Sequence, residues 1–296
     1  MKNSVVVGID GSAESLAAAR YAAAMAQRRG VPLTLAHGFL YPMAYGSYGL
    51  AAFAVPLPDP RADAQVMLDA GAAAIREEFP DLELRTQQVA ASGQLAMIEA
   101  SETADAVVVG HRGLGGFPEL MLGSVSSQVA AHAHGPVVVF RPDGTTAADA
   151  PVVVGVDPSP EAAAAVGFAF EEAAGRHVPL DAIHVYPLAV EGSPEAAEAL
   201  LDSVLGPWTA KYPDVEVRRT LRPVAELDET ALRRRSGPAD NAEAVFVEAS
   251  RNASLVVVGS RGRGGFTGLL LGSVSQALVH YAHCPVAVVH TRKTDR

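Results

Sequence analysis

The chain has 296 residues, of which 49% are apolar and 19% are charged, a composition typical of globular proteins with buried cores. Its formal net charge of −10 argues against binding through nucleic-acid phosphates, which requires a basic surface. We therefore expect no nucleic-acid partner. No stretch approaches the roughly 20 apolar residues that span a bilayer, so we also expect no membrane association. The single cysteine, Cys284, precludes an intramolecular disulfide, and the N-terminus runs directly into a strand, so we expect a cytoplasmic protein.

An internal repeat organises the chain. The segment Val5–Asp10 recurs 147 residues later as Val152–Asp157, and the fourth predicted strand recurs 149 residues later. The two copies differ mainly in loop length, because the first has an insertion over residues 41–61 and the second over residues 224–243. The repeat predicts two copies of one domain.

Short valine-rich runs alternate with longer alanine-rich stretches in each copy. In the first copy this predicts strands near 4–10, 32–38, 83–89, 106–110 and 136–140, and helices near 13–29, 62–78, 94–103 and 122–134. Continuous apolar strands indicate burial on both faces, as in parallel sheets covered by helices. The predicted fold class is α/β, with two tandem doubly wound (Rossmann-like) domains, each a five-stranded parallel sheet flanked by helices. The expected domains are 1–143 and 151–292, with a linker over 144–150.

Glycine-rich turns follow the fourth predicted strand of each copy, at the edge where doubly wound sheets bind ligands. The candidate residues of the first copy are Gly110, His111, Arg112, Gly113, Leu114, Gly115, Gly116, Gly123, Ser124, Val125 and Ser126. Those of the second are Gly259, Ser260, Arg261, Gly262, Arg263, Gly264, Gly265, Gly272, Ser273, Val274 and Ser275. We expect the glycines to adopt positive φ, the Gly-Ser helix starts to offer N–H groups to an anion, and the arginines to add positive charge. Alternatively, the glycines only make tight turns and the serines only cap helices.

Polar residues also end the first two predicted strands of each copy. Asp10 and Asp157 follow the first strand, where a carboxylate could accept from a ribose hydroxyl, hold a metal through water, or simply stabilise a helix N-terminus. These alternatives remain open. His37 and His184 end the second strand, and we expect them to be structural, hydrogen-bonded histidines.

The spacing Gly-x2-Gly-x9-Gly-Ser after the fourth strand, with Gly-x-Asp after the first, resembles the universal stress protein family over nearly the whole chain. The resemblance implies ATP at two sites per chain, with its phosphates on the glycine-rich turns and the helix starts. It also implies adenosine contacts at Gly8, Asp10 and Gly38 in the first copy and at Gly155, Asp157 and Val185 in the second. Gly38 stands where the family usually has valine, which is expected to loosen the adenine contact. Mg²⁺ is expected with the triphosphate.

Three functions are compatible with these features. We favour an ATP-binding regulatory module for stress survival, because the phosphate turns have no accompanying catalytic apparatus. A slow ATPase or phosphotransferase is the first alternative, with His111 the one candidate base and Ser260 in its place in the second copy. The other is a nucleotide-free, dimerising stress protein. The last strands, at 135–140 and 284–290, resemble the edge that pairs domains in this family, so we expect an internal pseudo-dimer and a further homodimer of chains. The downstream protein partner is not identified by the sequence.

Overall fold

The computed structural model describes residues 3–41, 59–113, 122–142, 149–187, 193–224, 241–262 and 270–291. The strands of the first half are β1 (Val5–Gly8), β2 (Leu33–Gly38), β3 (Leu84–Val89), β4 (Ala106–Gly110) and β5 (Val137–Phe140). Its helices are α1 (Ala13–Arg29), α2 (Pro60–Glu78), α3 (Gly93–Ser101) and α4 (Ser124–His132). Each lies within a few residues of its predicted position.

The second half repeats this order. Its strands are β6 (Val152–Gly155), β7 (Leu180–Pro187), β8 (Val217–Val224), β9 (Leu255–Gly259) and β10 (Val286–Val289). Its helices are α5 (Pro160–Arg176), α6 (Pro194–Lys211), α7 (Ala242–Ala249) and α8 (Ser273–Tyr281).

All ten strands form one sheet, in the order β3-β2-β1-β4-β5-β10-β9-β6-β7-β8. Neighbouring strands within each half are parallel. The halves join where β5 pairs antiparallel with β10, with Val138 opposite Ala287. The α/β fold and the pairing of the two last strands are therefore confirmed.

Alternate residues of each strand contribute to two hydrophobic cores, one on each face of the sheet. Val5 and Val7 belong to the core covered by α1, α2, α5 and α6, whereas Val6 belongs to the core covered by α3, α4, α7 and α8. All three valines are fully buried. Because both of their faces are covered, central strands such as β1 and β4 are apolar throughout, whereas the edge strands β3 and β8 contain polar and exposed residues.

Reciprocal hydrogen bonds join the two domains on one face of the sheet. Arg141, after β5, donates to the carbonyl of Val279 in α8. His290, after β10, is hydrogen-bonded through Nε2 to the carbonyl of Ala130 in α4 at 2.8 Å. Arg141 and His290 are equivalent positions of the repeat, as are Ala130 and Val279, so this part of the interface is pseudo-symmetric.

A buried carboxylate joins the domains on the other face. Glu172 of α5 accepts from Arg29 at 3.0 Å and from Arg176 at 2.8 Å, and it lies 3.6 Å from Arg28. Burial alone would raise its pKa, but Arg176 and Arg29 hold the pKa of Glu172 below its usual value. The equivalent residue of the first copy is Met25, which is buried in the same core. The carboxylate is therefore supplied by one copy only.

Two further features of the chain are the character of its helices and the state of its single cysteine. Among the described residues, no helix combines the length and the apolar character needed to cross a membrane. Cys284 is fully buried, and burial raises the pKa of its thiol to about 12, as expected for an inert cysteine.

Candidate functional site

A cavity opens at the carboxyl ends of the strands in each domain, where the strand order reverses beside β1 and beside β6. The first cavity has a volume of about 610 Å³ and the second of about 380 Å³. The candidate residues that line the first are Gly8, Asp10, Gly38, Gly110, Arg112, Gly113, Gly123, Ser124, Val125 and Ser126. Those that line the second are Gly155, Asp157, Val185, Gly259, Arg261, Gly262, Gly272, Ser273, Val274 and Ser275.

The remaining candidate residues fall into two groups. His111 and Ser260 are buried next to the cavities but are not among the residues that line them. Six others lie outside the described residues, namely Leu114, Gly115, Gly116, Arg263, Gly264 and Gly265.

Helices α4 and α8 begin at the cavities and lack the side-chain cap found on five of the six other described helices, the exception being α3, whose first residue Gly93 also lines the first cavity. Helices α1, α2, α5, α6 and α7 each have a first-turn N–H that donates to a capping side chain, respectively Ser12, Asp59, Ser159, Ser193 and Asn241. Helices α4 and α8 begin after Gly123 and Gly272, without a side-chain cap. Their first-turn N–H groups have no partner within the helix, and the helix dipole places partial positive charge there. This arrangement favours an anion.

A buried serine fixes each of these helix starts to the preceding strand. Ser126 Oγ donates to the carbonyls of His111 and Gly123, both at 3.0 Å. Ser275 makes the equivalent two contacts in the second domain, at 3.0 and 2.9 Å. Since a hydroxyl has one proton, already shared between two carbonyls, these serines position the turn. The exposed side chain of Ser124 is better placed to donate to a ligand.

The second glycine of each turn packs against the aspartate that follows the first strand. A Cβ on Gly113 would lie 2.2 Å from Oδ2 of Asp10, and one on Gly262 would lie 2.5 Å from Oδ2 of Asp157. The other oxygen of Asp10 accepts from the N–H and the hydroxyl of Ser12, at 3.0 and 2.6 Å. The aspartate is therefore held in place, and a larger residue in the turn would displace it.

The expectation of positive φ is wrong for the turn glycines that the structure describes. In the described part of the chain, the glycines with positive φ are Gly11 and Gly30, neither of which belongs to a turn after β4 or β9. Crowding explains the turn glycines instead. A Cβ on Gly259, for example, would lie 2.9 Å from the backbone carbonyl carbon of Glu161, at the start of α5.

A glutamate in the first turn of α1 fixes His111 and Arg112. Glu14 Oε2 accepts from the backbone N–H of Arg112 at 3.1 Å and lies 3.1 Å from Nδ1 of His111. The His111 side chain is only 6% exposed, and it faces this carboxylate instead of the cavity. In the second domain the equivalent Glu161 lies 3.6 Å from Arg261. The surroundings of His111 therefore do not support a role as a catalytic base.

The apolar side of each cavity is formed by a residue that sequence reasoning missed. Met97 of α3 lies over Gly8, where a Cβ would be 3.2 Å from its Sδ. Phe246 of α7 takes the same position over Gly155, where a Cβ would be 3.1 Å from its Cζ. Both side chains are buried and line the cavities. The 149-residue offset of the repeat relates them, and this was the available sequence signal.

Gly38 has a packing role that was also missed. A Cβ at this position would lie 2.8 Å from the carbonyl oxygen of Ala91 and 2.8 Å from Cα of Gly93. The turn between β3 and α3 therefore closes directly onto β2, and backbone fills the space that a valine would need. In the second domain Val185 occupies the position, where β7 and β8 stay paired as far as Val224.

His37 lies near the end of β2 and His184 lies within β7, three residues before its end, and both are hydrogen-bonded to backbone, as expected. Nδ1 of His37 is hydrogen-bonded to the carbonyl of Ile9 at 2.6 Å, and Nδ1 of His184 to the carbonyl of Val156 at 2.7 Å. Each hydrogen bond joins the second strand of its domain to the residue that precedes the site aspartate.

The described residues contain no group of three or more His, Cys, Asp or Glu side chains placed to hold a metal ion. Each cavity has one acidic residue among the described residues that line it, Asp10 in the first and Asp157 in the second. A metal at either site would therefore need most of its ligands from a bound molecule or from water.

Comparison with known proteins agrees with this geometry. The family model described as "Universal stress protein family" matches residues 1–141 and 150–290. A universal stress protein of Mycolicibacterium smegmatis is 36% identical over 302 residues, which cover 97% of each chain. The crystal structure of a universal stress protein from Archaeoglobus fulgidus aligns over 99% of this chain and 98% of that one, with a TM-score of 0.67 and 20% identity.

A shorter solved structure aligns with one half of the chain. It is a universal stress protein from Archaeoglobus fulgidus in complex with dAMP, with 24% identity over 46% of this chain and 94% of that one and a TM-score of 0.33. The family model and the full-length relative decide the assignment. The chain belongs to the universal stress protein family, with one family domain in each half.

Proposed function

We propose that each domain binds one adenine nucleotide, with ATP as the expected ligand, and that the chain acts as a nucleotide-dependent regulatory module in stress survival. The observation that carries this proposal is the pair of uncapped helix starts at Gly123 and Gly272. Each opens into a cavity at the carboxyl edge of the sheet, beside a glycine-rich turn. A helix start in this position is suited to phosphate.

The phosphates would lie on the first-turn N–H groups of α4 and α8. In the first cavity Arg112 supports this placement, because its Nε is buried and has no hydrogen-bond partner among the described atoms. In the second cavity Arg261 lies at the equivalent position, paired at 3.6 Å with Glu161. A negative ligand would satisfy the first arginine and compete for the second.

The nucleoside would lie toward β1 and β2 in the first domain. Asp10 lines the cavity, with its Oδ1 accepting from Ser12, and a carboxylate in this position can accept from a ribose hydroxyl. The apolar side formed by Met97, Ala36 and Val109 suits a purine ring. In the second domain Asp157, Phe246 and Val258 supply the equivalent surface. Mg²⁺ would enter with the triphosphate, since each cavity offers only one described carboxylate.

We further propose that ATP turnover is absent or slow. Phosphoryl transfer depends on a positioned nucleophile or base together with charge on the leaving oxygens. The surroundings of His111 support this, because its ring is buried against Glu14. The chain would thus respond to whether ATP is bound and would not hydrolyse it.

The experiment is isothermal titration calorimetry of the full chain with ATP and Mg²⁺, together with mass spectrometry of any nucleotide released on denaturation. We expect about two adenine nucleotides per chain, because both domains have the glycine-rich turn in their sequence and an uncapped helix start at the cavity. Absence of binding at millimolar ATP would contradict the proposal and favour the nucleotide-free alternative. Light scattering on the same sample tests the predicted homodimer of chains.

A further inference from the structure

The two cavities differ on the side that adjoins the second strand of each domain. At three equivalent positions that line both cavities on this side the residue is larger in the second domain, with Val185 for Gly38, Ala242 for Gly93 and Phe246 for Met97. The cavity volume falls from about 610 to about 380 Å³. These three replacements act in the same direction as the change in volume, whereas two lining residues elsewhere are smaller in the second domain, Val156 for Ile9 and Ala162 for Ser15.

The phosphate side does not share this difference. Ser126 and Ser275 make matching hydrogen bonds at 2.9 to 3.0 Å. Gly113 and Gly262 pack against their aspartates in the same way. The three larger residues therefore line the side where the proposed function places the base, and not the side where it places the phosphates.

Phe246 is the replacement that faces the cavity with the least freedom to move. Its side chain belongs to the buried core, and a Cβ on Gly155 would lie only 3.1 Å from its Cζ and 3.4 Å from its Cε1. A planar ring in a close-packed interior cannot retreat without disturbing its neighbours. Met97, in contrast, is an unbranched thioether that can change rotamer to accommodate a larger ligand.

We propose that the second site selects nucleotides by the size of the base, accepting adenine and rejecting enlarged purines, whereas the first site accepts both. Phe246 is the specificity-determining residue, and Met97 is its permissive counterpart. This inference rests on the proposed nucleotide binding and adds to it that the two sites of one chain have different ligand ranges.

The test uses the full chain and two probes, ATP and etheno-ATP, in which a two-carbon bridge enlarges the adenine ring. Calorimetric or fluorescence titration should give about two ATP but about one etheno-ATP per chain. The second site should bind etheno-ATP about tenfold or more weakly than ATP, as expected when extra atoms are forced against a packed wall.

Exchanging the two residues assigns the effect to its site. Phe246→Met should add a second etheno-ATP per chain, and Met97→Phe should remove the first, with an ATP titration of each variant as the reference for the same site. Val66→Ala is the control, because Val66 is 69% exposed on α2 and does not line either cavity. If Phe246→Met fails to fold, as judged by thermal unfolding, Phe246→Leu and Met97→Phe provide the same comparison.

The outcomes separate this inference from the proposed function. Two ATP and two etheno-ATP per chain with similar affinities would overturn the inference and leave nucleotide binding intact. A Phe246→Met variant that still binds one etheno-ATP would also overturn it. Failure of ATP itself to bind would overturn both.

Discussion

The two domains agree on the phosphate side of the site and differ on its apolar side. Both have a helix that begins uncapped after glycine, and both hold it with a buried serine. They differ at Met97 and Phe246, at His111 and Ser260, and at Met25 and Glu172. Backbone N–H groups are the same whatever the side chain, so an anion site built from them tolerates substitution around it. An apolar wall changes shape with each substitution.

The largest expected effect lies at the asymmetric interface. Glu172→Ala should lower the free energy of unfolding by about 3–5 kcal/mol, since it leaves buried arginines without their carboxylate. Urea denaturation measures this. Glu78→Ala is the matched control, because its ion pair with Arg20 is exposed and should contribute only about 0–1 kcal/mol. Equal losses in the two variants would mean that Glu172 does not hold the domains together.

The same interface has a predicted pH dependence. The pKa of Glu172 is lowered in the folded state, because the pull of Arg176 and Arg29 outweighs the effect of burial. Its stabilisation is therefore present above the unfolded pKa of about 4.3 and is lost as the pH falls through the lower folded pKa. The difference in unfolding free energy between wild type and Glu172→Gln should shrink in that acidic range. A difference that grows on acidification would contradict the assignment.

The next largest effect should be shared by the two domains. Gly113→Ala and Gly262→Ala should each weaken ATP binding at their own site by about tenfold, because the new Cβ displaces a site aspartate. Titration calorimetry measures the loss. Gly206→Ala is the control, since no atom lies within 4 Å of its added Cβ. If Asp10→Asn with Asp157→Asn is more damaging than the glycine pair, then polar anchoring of ribose or metal outweighs the shape of the turn.

A smaller shared effect is expected from the buried serines. Ser126→Ala and Ser275→Ala should each reduce the free energy of unfolding by about 1 kcal/mol, because each hydroxyl donates to buried carbonyls. Ser127→Ala should cost less, since the hydrogen bond of Ser127 to the carbonyl of Ser124 is exposed. Clearly unequal losses at positions 126 and 275 would show that the two turns are not energetically equivalent.

The smallest expected effect concerns the histidine that only the first copy has. His111→Ser, which installs the residue of the second copy, should leave ATP turnover unchanged and well below about 1 per second. A sensitive phosphate-release assay on wild type and variant measures this. Turnover of several per second that disappears in the variant would make the first site catalytic and separate the two domains by activity.

The sequence predicted the strands better than the surroundings of the site. Residues 106–110 form β4 as predicted, because a buried parallel strand is a continuous apolar run. Helix α4 begins at Ser124 and not at residue 122, since Gly123 has extended backbone as its N-cap. Nothing local distinguishes Met97 from an ordinary core residue. Its position at the cavity depends on how α3 packs against β1, and the direction of His111 likewise depends on where α1 places Glu14.

The antiparallel pairing of β5 with β10 determines where the two cavities lie relative to each other. The strands of the two domains run in opposite directions through one sheet. Their carboxyl ends, where the two cavities open, therefore point in opposite directions along the strands. Leu122 lines the first cavity and Leu271 the second, and both also line a smaller cavity of about 200 Å³ between α4 and α8. The two cavities are therefore neighbours across this shared space, and a substitution in it would touch the wall of each.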